Sequence, residues 1–138
     1  MTPEDRYAAL AAADRDDLLA LADEILAAEV GPVSVLEGPT AGVGALRLPA
    51  PAGGSFVVGH IVLTTGAVSL DGQRGDGIRP GRDPQGALAA AVCDAECERH
   101  GPRAGTVDAL SAHTHDAQRA AADATARLVD ATRLGAPA

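Results

Sequence analysis

The apolar positions along this chain change period twice. Leu18, Leu21, Ala22, Ile25 and Leu26 recur at helical spacing, and Gly31-Pro32 ends that run. Ahead of it, Thr2-Pro3-Glu4-Asp5 has the layout of a helix start. A hydroxyl cap, a proline at the first position and two acids suit the positive end of the dipole. This predicts a first helix to about Ala12 and a second capped by Asp14. Its apolar positions are alanines apart from Tyr7 and Leu10, which predicts close packing of the first helix against the second.

From Val33 the period shortens. Val33 to Leu36 and Val43 to Leu48 read as short strands, with Gly38-Pro39 as the turn between them. Pro49 to Gly54 is a Pro/Ala/Gly loop. A long strand follows from Ser55 to Leu70, and Gly59 and Gly66 within it suggest bends or bulges. Asp71-Gly72 is a hairpin signal, with a return segment to Ile78.

Helical spacing then resumes. Asp83 caps a third helix and Pro84 opens it. Leu88, Ala91, Val92 and Ala95 form one stripe, while Cys93, Cys97 and His100 fall on nearly the opposite side. Such a helix is either sandwiched or presents one side to a partner. Beyond Gly101-Pro102 lies an Ala/Asp/Arg stretch, where Thr114 caps a last helix to about Leu134 with a thin stripe of Ala117, Ala121, Ala124, Leu128 and Ala131. The fold predicted is α+β in one domain, 1–138. It has a helical pair over 1–30, an antiparallel sheet of about four strands over 33–80, a helix over 83–100 and an Ala-rich helical tail over 104–138.

Composition adds a constraint. Hydrophobic residues make up 46% of the chain, but alanine dominates, with one Phe, one Tyr and no Trp. Alanine removes little apolar area from water, so the core is either modestly stable or completed against a partner. The net charge of -8, with scattered arginines and no lysine, argues against nucleic acid and anionic membranes. No apolar run approaches the ~20 residues of a membrane span, and no signal-peptide layout is present. A cytoplasmic protein with reduced thiols is expected.

Candidate chemistry is sparse. Cys93, Cys97 and His100 are zinc-ligand types on one helix face, without an obvious fourth ligand. His113 and His115 could chelate from an extended segment, but read more simply as a polar helix start. Ser34, Ser55, Ser69 and Ser111 lack a nucleophile elbow, and His60 stands alone in a strand. Arg79, Gly81 and Arg82 place cations and backbone N–H groups at a helix mouth that could hold an anion. Asp83 opposes this by occupying the cap, and an Arg82–Asp83 pair holding the turn is the preferred reading. No catalytic residue, cofactor site or metal site is assigned. Arg79, Arg82, Asp83, Cys93 and Cys97 remain candidates for an anion or interface contact.

The order of these segments resembles one family. Arg6-Tyr7, Gly53-Gly54-Ser55-Phe56, the Thr64 to Leu70 strand, Asp71-Gly72, Gly81-Arg82-Asp83, the Ala87 to Ala95 helix with its Asp94-Ala95 step, and Ala126-Arg127-Leu128-Val129-Asp130 follow one another. They do so as in PhnG, the small G subunit of the bacterial carbon–phosphorus lyase core complex. Thr65 and Ser69 stand where the family carries arginines, and Tyr7 where it carries tryptophan. The resemblance implies a non-catalytic, dimer-forming subunit of a transferase complex. That complex makes ribose 1-methylphosphonate 5-triphosphate from methylphosphonate and ATP. Implied partners are PhnI-, PhnH- and PhnJ-like subunits, with a homodimer inside the hetero-oligomer. The alternative is a stand-alone small enzyme or binding protein for a phosphorylated ligand, working through Arg79, Arg82 and His60.

Overall fold

A computed structural model describes residues 1–28, 30–50 and 52–135. Four helices and three strands follow one another: α1 (Pro3–Ala12), α2 (Arg15–Ala27), β1 (Val33–Pro49), β2 (Ser55–Leu70), β3 (Gln73–Pro80), α3 (Pro84–Glu98) and α4 (Ala104–Gly135). The caps of the first three helices are those the sequence announces. Thr2 Oγ1 accepts from the Asp5 N–H at 3.1 Å, the Asp14 carboxylate from Asp17 at 3.1 Å, and the Asp83 carboxylate from Gly86 at 3.0 Å.

The sheet is antiparallel in the order β1-β2-β3, with three strands rather than about four. Gly38-Pro39 is not a turn. Glu37 pairs with Ala67 and Thr40 with Thr65, so two residues of β1 lie opposite Gly66 alone. That is a bulge, and the chain continues in the same direction beyond it. The two short strands of the sequence reading are therefore one strand. A second irregularity lies where Leu46 pairs with Gly59 and Arg47 with Val57, so both interrupting glycines of β2 stand at or beside bulges. Asp71-Gly72 forms the expected hairpin, with φ of 50° and 81° at the two turn residues.

The helix α3 is the centre of the molecule. Ala89 to Cys97 are all buried, with the sheet on one side and the other helices around it. Of the two readings of its double-sided apolar pattern, the sandwiched one holds. It packs on β3 at backbone distance. A Cβ at Gly75 would stand 2.1 Å from the Ala91 carbonyl oxygen, and one at Gly77 would stand 2.2 Å from that of Ala87. Around this contact Leu10, Leu18, Ile25, Leu70 and Val107 close the core.

Two further expectations are corrected. The first helix does not lie along the second; α1 packs on β3, α3 and α4. Arginines from α1 and β3 draw it there. Thr114 does not cap the last helix, which begins ten residues earlier at Ala104. Its hydroxyl donates to the Leu110 carbonyl at 2.9 Å from inside the helix. The upstream turns form because Val107 and Leu110 have α3 to pack against. The last three residues of the predicted tail lie outside the described residues. Among the described residues no helix is long and apolar enough to cross a membrane.

The close approach of α3 sets a test. Gly77→Ala pushes a methyl into helix backbone and is expected to cost about 3 kcal/mol. Gly105→Ala, where nothing lies within 4 Å, is expected to gain about 0.5 kcal/mol. Urea unfolding midpoints of the two variants decide the matter.

Candidate functional site

Two buried arginines organise the charged groups. Arg6, on α1, donates from Nε to Asp94 on α3 at 2.7 Å and from a terminal nitrogen to Glu98. The other oxygen of Asp94 accepts the Asp76 N–H of β3 at 2.9 Å. One carboxylate thus ties a helix and a strand to α1. Beside it lies an open groove of about 350 Å³, with Tyr7, Arg74, Asp76 and Glu98 on its walls. Arg74 pairs with Asp76 at 2.9 Å and with Glu37 at 3.3 Å. Burial, and then Asp76 and Asp94, push the Tyr7 phenol above its usual range, so it stays protonated at neutral pH.

The second arginine is Arg79, near the end of β3. Its Nη1 donates to the carbonyls of Leu10, Ala11 and Ala13 at 3.1, 3.0 and 2.7 Å. These carbonyls lie in the last turn of α1 and just beyond it, where backbone acceptors are left over; the Leu10 oxygen also accepts the Ala13 N–H at 3.4 Å. Its Nε lies 3.5 Å from Asp83. Asp83 also takes Arg15 at 3.1 Å, while Arg15 reaches Gln85 at 3.1 Å. Burial alone would raise the Asp83 pKa, but the Gly86 N–H, Arg15 and Arg79 together hold it below the usual value.

The expected anion contact loses Arg79, whose guanidinium is buried and engaged by carbonyl oxygens. The expected Arg82–Asp83 pair does not form; Arg82 is exposed, and Asp83 turns to Arg15 and Arg79. Below them, Thr64 Oγ1 accepts the Asp83 N–H at 3.0 Å and donates to the Gly81 carbonyl at 2.7 Å. This mouth is a structural joint between the sheet and three helix ends.

The cysteine face is also corrected. Cys93 and Cys97 are buried in the core, with Cys97 Sγ 3.8 Å from the Ala104 carbonyl oxygen and 3.9 Å from Asp108 on α4. The chain's own last helix covers them, so they offer no surface to a partner. Burial pushes Cys93 up to about 12 and Cys97 up to about 11, which keeps both as thiols. His100 is exposed beyond the end of α3. His113 and His115 are exposed on a helix, where residues two apart diverge, rather than on an extended segment. His60 is exposed on β2 and stands far along the strand from Arg79's partner Thr64. Among the described residues, no three His, Cys, Asp or Glu side chains gather to hold a metal.

What the chain does present is bare apolar surface. The distal β1–β2 hairpin exposes Val43, Phe56, Val57, Val58 and Ile61, and the far half of α4 exposes Leu128 and Val129. Val43 is 70% exposed and Leu128 69%. The total surface is 8330 Å². A compact monomer of 13.7 kDa would have about 6,600 Å². The excess, roughly 1,700 Å², is of the size one subunit buries in an obligate interface.

Sequence reasoning missed the roles of Arg6 and Arg79. A signal existed for the first, since Arg6 and the Asp94-Ala95 step both belong to the ordered motifs, and the fold brings them together. For Arg79 none existed, because its partners are main-chain carbonyls.

A family model described as "Phosphonate metabolism protein PhnG" matches residues 2–135. No curated protein matches the chain.

Removing Arg6 strands Asp94 in a buried site. Arg6→Ala is expected to lower stability by about 3 kcal/mol in denaturant unfolding, while Asp94→Asn with Arg6 intact costs less. For Asp83 the sign follows from its depressed pKa. Its contribution is present above the unfolded value near 3.8 and is lost as pH falls through the lower folded value. Asp83→Asn is therefore expected to flatten the acid side of a stability-against-pH curve below about pH 4.

Proposed function

The chain belongs to the PhnG family, which acts in phosphonate metabolism, and from that premise we propose that it is a non-catalytic structural subunit. Its complex is the carbon–phosphorus lyase assembly of the cytoplasm. The reaction supported is formation of ribose 1-methylphosphonate 5-triphosphate from methylphosphonate and ATP. The partners are PhnI-, PhnH- and PhnJ-like subunits, with two copies of this chain in the hetero-oligomer.

The observation that carries this reading is the bare apolar hairpin. Its outer part is apolar on both faces, with Val43 and Val57 on one, Ile61 and Phe56 on the other, and Val58 unpaired at the bulge between them. A strand with apolar residues on both faces is a buried strand. Among the described residues nothing buries it, which supports burial against a partner. The titratable groups at the α1–α3 and β3–α3 joints support the same reading, since they are engaged in ion pairs and caps. A small enzyme working through Arg79 would need a guanidinium that is already committed to the end of α1.

Co-expression with a cognate I-type subunit tests the proposal. The two are expected to co-purify through salt washing, and Val43→Asp/Val57→Asp on one face of the hairpin is expected to abolish capture with helix content unchanged. If the wild-type chain never co-purifies, or if it alone turns over methylphosphonate and ATP, the subunit reading is wrong.

A further inference from the structure

We propose that the β1 face bearing Gly42 and Gly44 is a landing surface for the free half of α4 from a second copy of this chain. This names one contact within the subunit proposed above, and its test is separate from capture of the I-type subunit.

The chain shows how it covers a sheet. On β3 the alternate residues Gly75 and Gly77 let an alanine-rich helix, α3, lie at backbone distance. On β1 the same i, i+2 spacing recurs at Gly42 and Gly44, within Ala41-Gly42-Val43-Gly44-Ala45. Their Cα partners are Leu63 and Ile61. This face is opposite the one α3 covers, since Gly66 and Val68, of the other parity on β2, pair with Gly77 and Gly75. Nothing lies within 4 Å of where a Gly42 Cβ would stand, whereas over Gly44 the Leu63 side chain already lies at 2.8 Å, so the open part of this surface is at Gly42. A groove of about 200 Å³ runs over Thr40, Gly42, Gly44, Leu63 and Thr65. Ile61 at its side is 42% exposed.

The matching helix is present in the same chain. Ala117, Ala121, Ala124, Leu128 and Ala131 form one stripe on α4, and every described side chain from His115 onward is exposed. Residues 115–135 span about 30 Å at 1.5 Å per residue. The hairpin from Thr40 to Ala50 is of similar reach at about 3.3 Å per residue. A twofold exchange, in which each α4 covers the Gly42 and Gly44 face of the other copy's hairpin, gives both surfaces one occupant and leaves the Val43 face to the I-type subunit. It also fits the surface excess of roughly 1,700 Å² per chain, which doubles to the range of obligate dimers.

Charge permits the approach. Two copies at -8 each repel. Between residues 38 and 65, however, Arg47 is the one formally charged side chain. On the far half of α4 the acids and arginines fall in sequence at Asp116/Arg119, Asp123/Arg127 and Asp130/Arg133, spaced three or four apart and at positions other than the alanine stripe. Both contact surfaces are therefore neutral.

Sedimentation velocity on the full chain at micromolar concentration tests this. The wild type is expected to be a dimer. Gly42→Val adds a side chain into open space in the single chain and suits a strand, so folding is retained; under a docked helix it is a wedge. It is expected to weaken the dimer at least tenfold, as is Ala121→Glu. Ala45→Val, on the other face of β1, and Ala122→Glu, off the stripe of α4, are expected to leave the dimer intact. Circular dichroism checks that all four variants fold. A monomeric wild type overturns the proposal, as does a dimer indifferent to Gly42→Val. If Gly42→Val blocks capture of the I-type subunit but leaves self-association unchanged, the groove belongs to that subunit and the second-copy contact is wrong. A dimer that obeys these variants but never binds an I-type subunit upholds this contact and removes the hetero-complex.

Discussion

The rest of the structure depends on one contact, the seating of an alanine-rich helix on two strand glycines. A chain with one Phe, one Tyr and no Trp cannot fill wide gaps between layers. It removes the gap instead. With Gly75 and Gly77 below and alanines above, α3 meets β3 backbone to backbone, and many small contacts replace a few large ones. That closeness leaves no space for relaxation, so composition and geometry restrict each other.

Once α3 is seated, buried charge decides how the remaining elements attach. Arg6 joins α1 to α3 through Asp94, and Arg79 joins the end of α1 to β3 while touching Asp83 at the start of α3. Such pairs add direction more than net stability, because desolvation offsets much of their attraction. Apolar contacts between alanines specify position poorly; an arginine bound to three carbonyls specifies it well. The groups that first suggest chemistry at Gly81-Arg82-Asp83 therefore serve as a joint.

A body built in this way is small, and the chain extends beyond it in two arms. The hairpin and the far part of α4 carry apolar residues that no element of the same chain covers. For a member of a family acting in phosphonate metabolism, with its surface far above that of a compact monomer, those arms are where function is expected. The proposed role follows from what the arms lack.

Helix starts, the Asp71-Gly72 hairpin and the family were legible in the residues, because caps, turns and ordered motifs act over a few positions. Thr2, Asp14 and Asp83 each bond a backbone N–H three residues on, so their effect is written locally. The strand count was not legible, since Gly38-Pro39 serves a turn and a bulge equally well until β2 pairs across it. Nor was the start of α4, whose first turns form only where α3 offers Val107 and Leu110 a surface. The candidate groups divide in the same way. Sequence supplied Arg79, Asp83, Cys93 and Cys97 as side chains able to act, and the tertiary structure decided their employment by burying all but Asp83 and giving both arginine and aspartate their partners. Local order determined the elements and the family; long-range packing alone determined what each element touches, because burial and pairing depend on residues far apart in the chain.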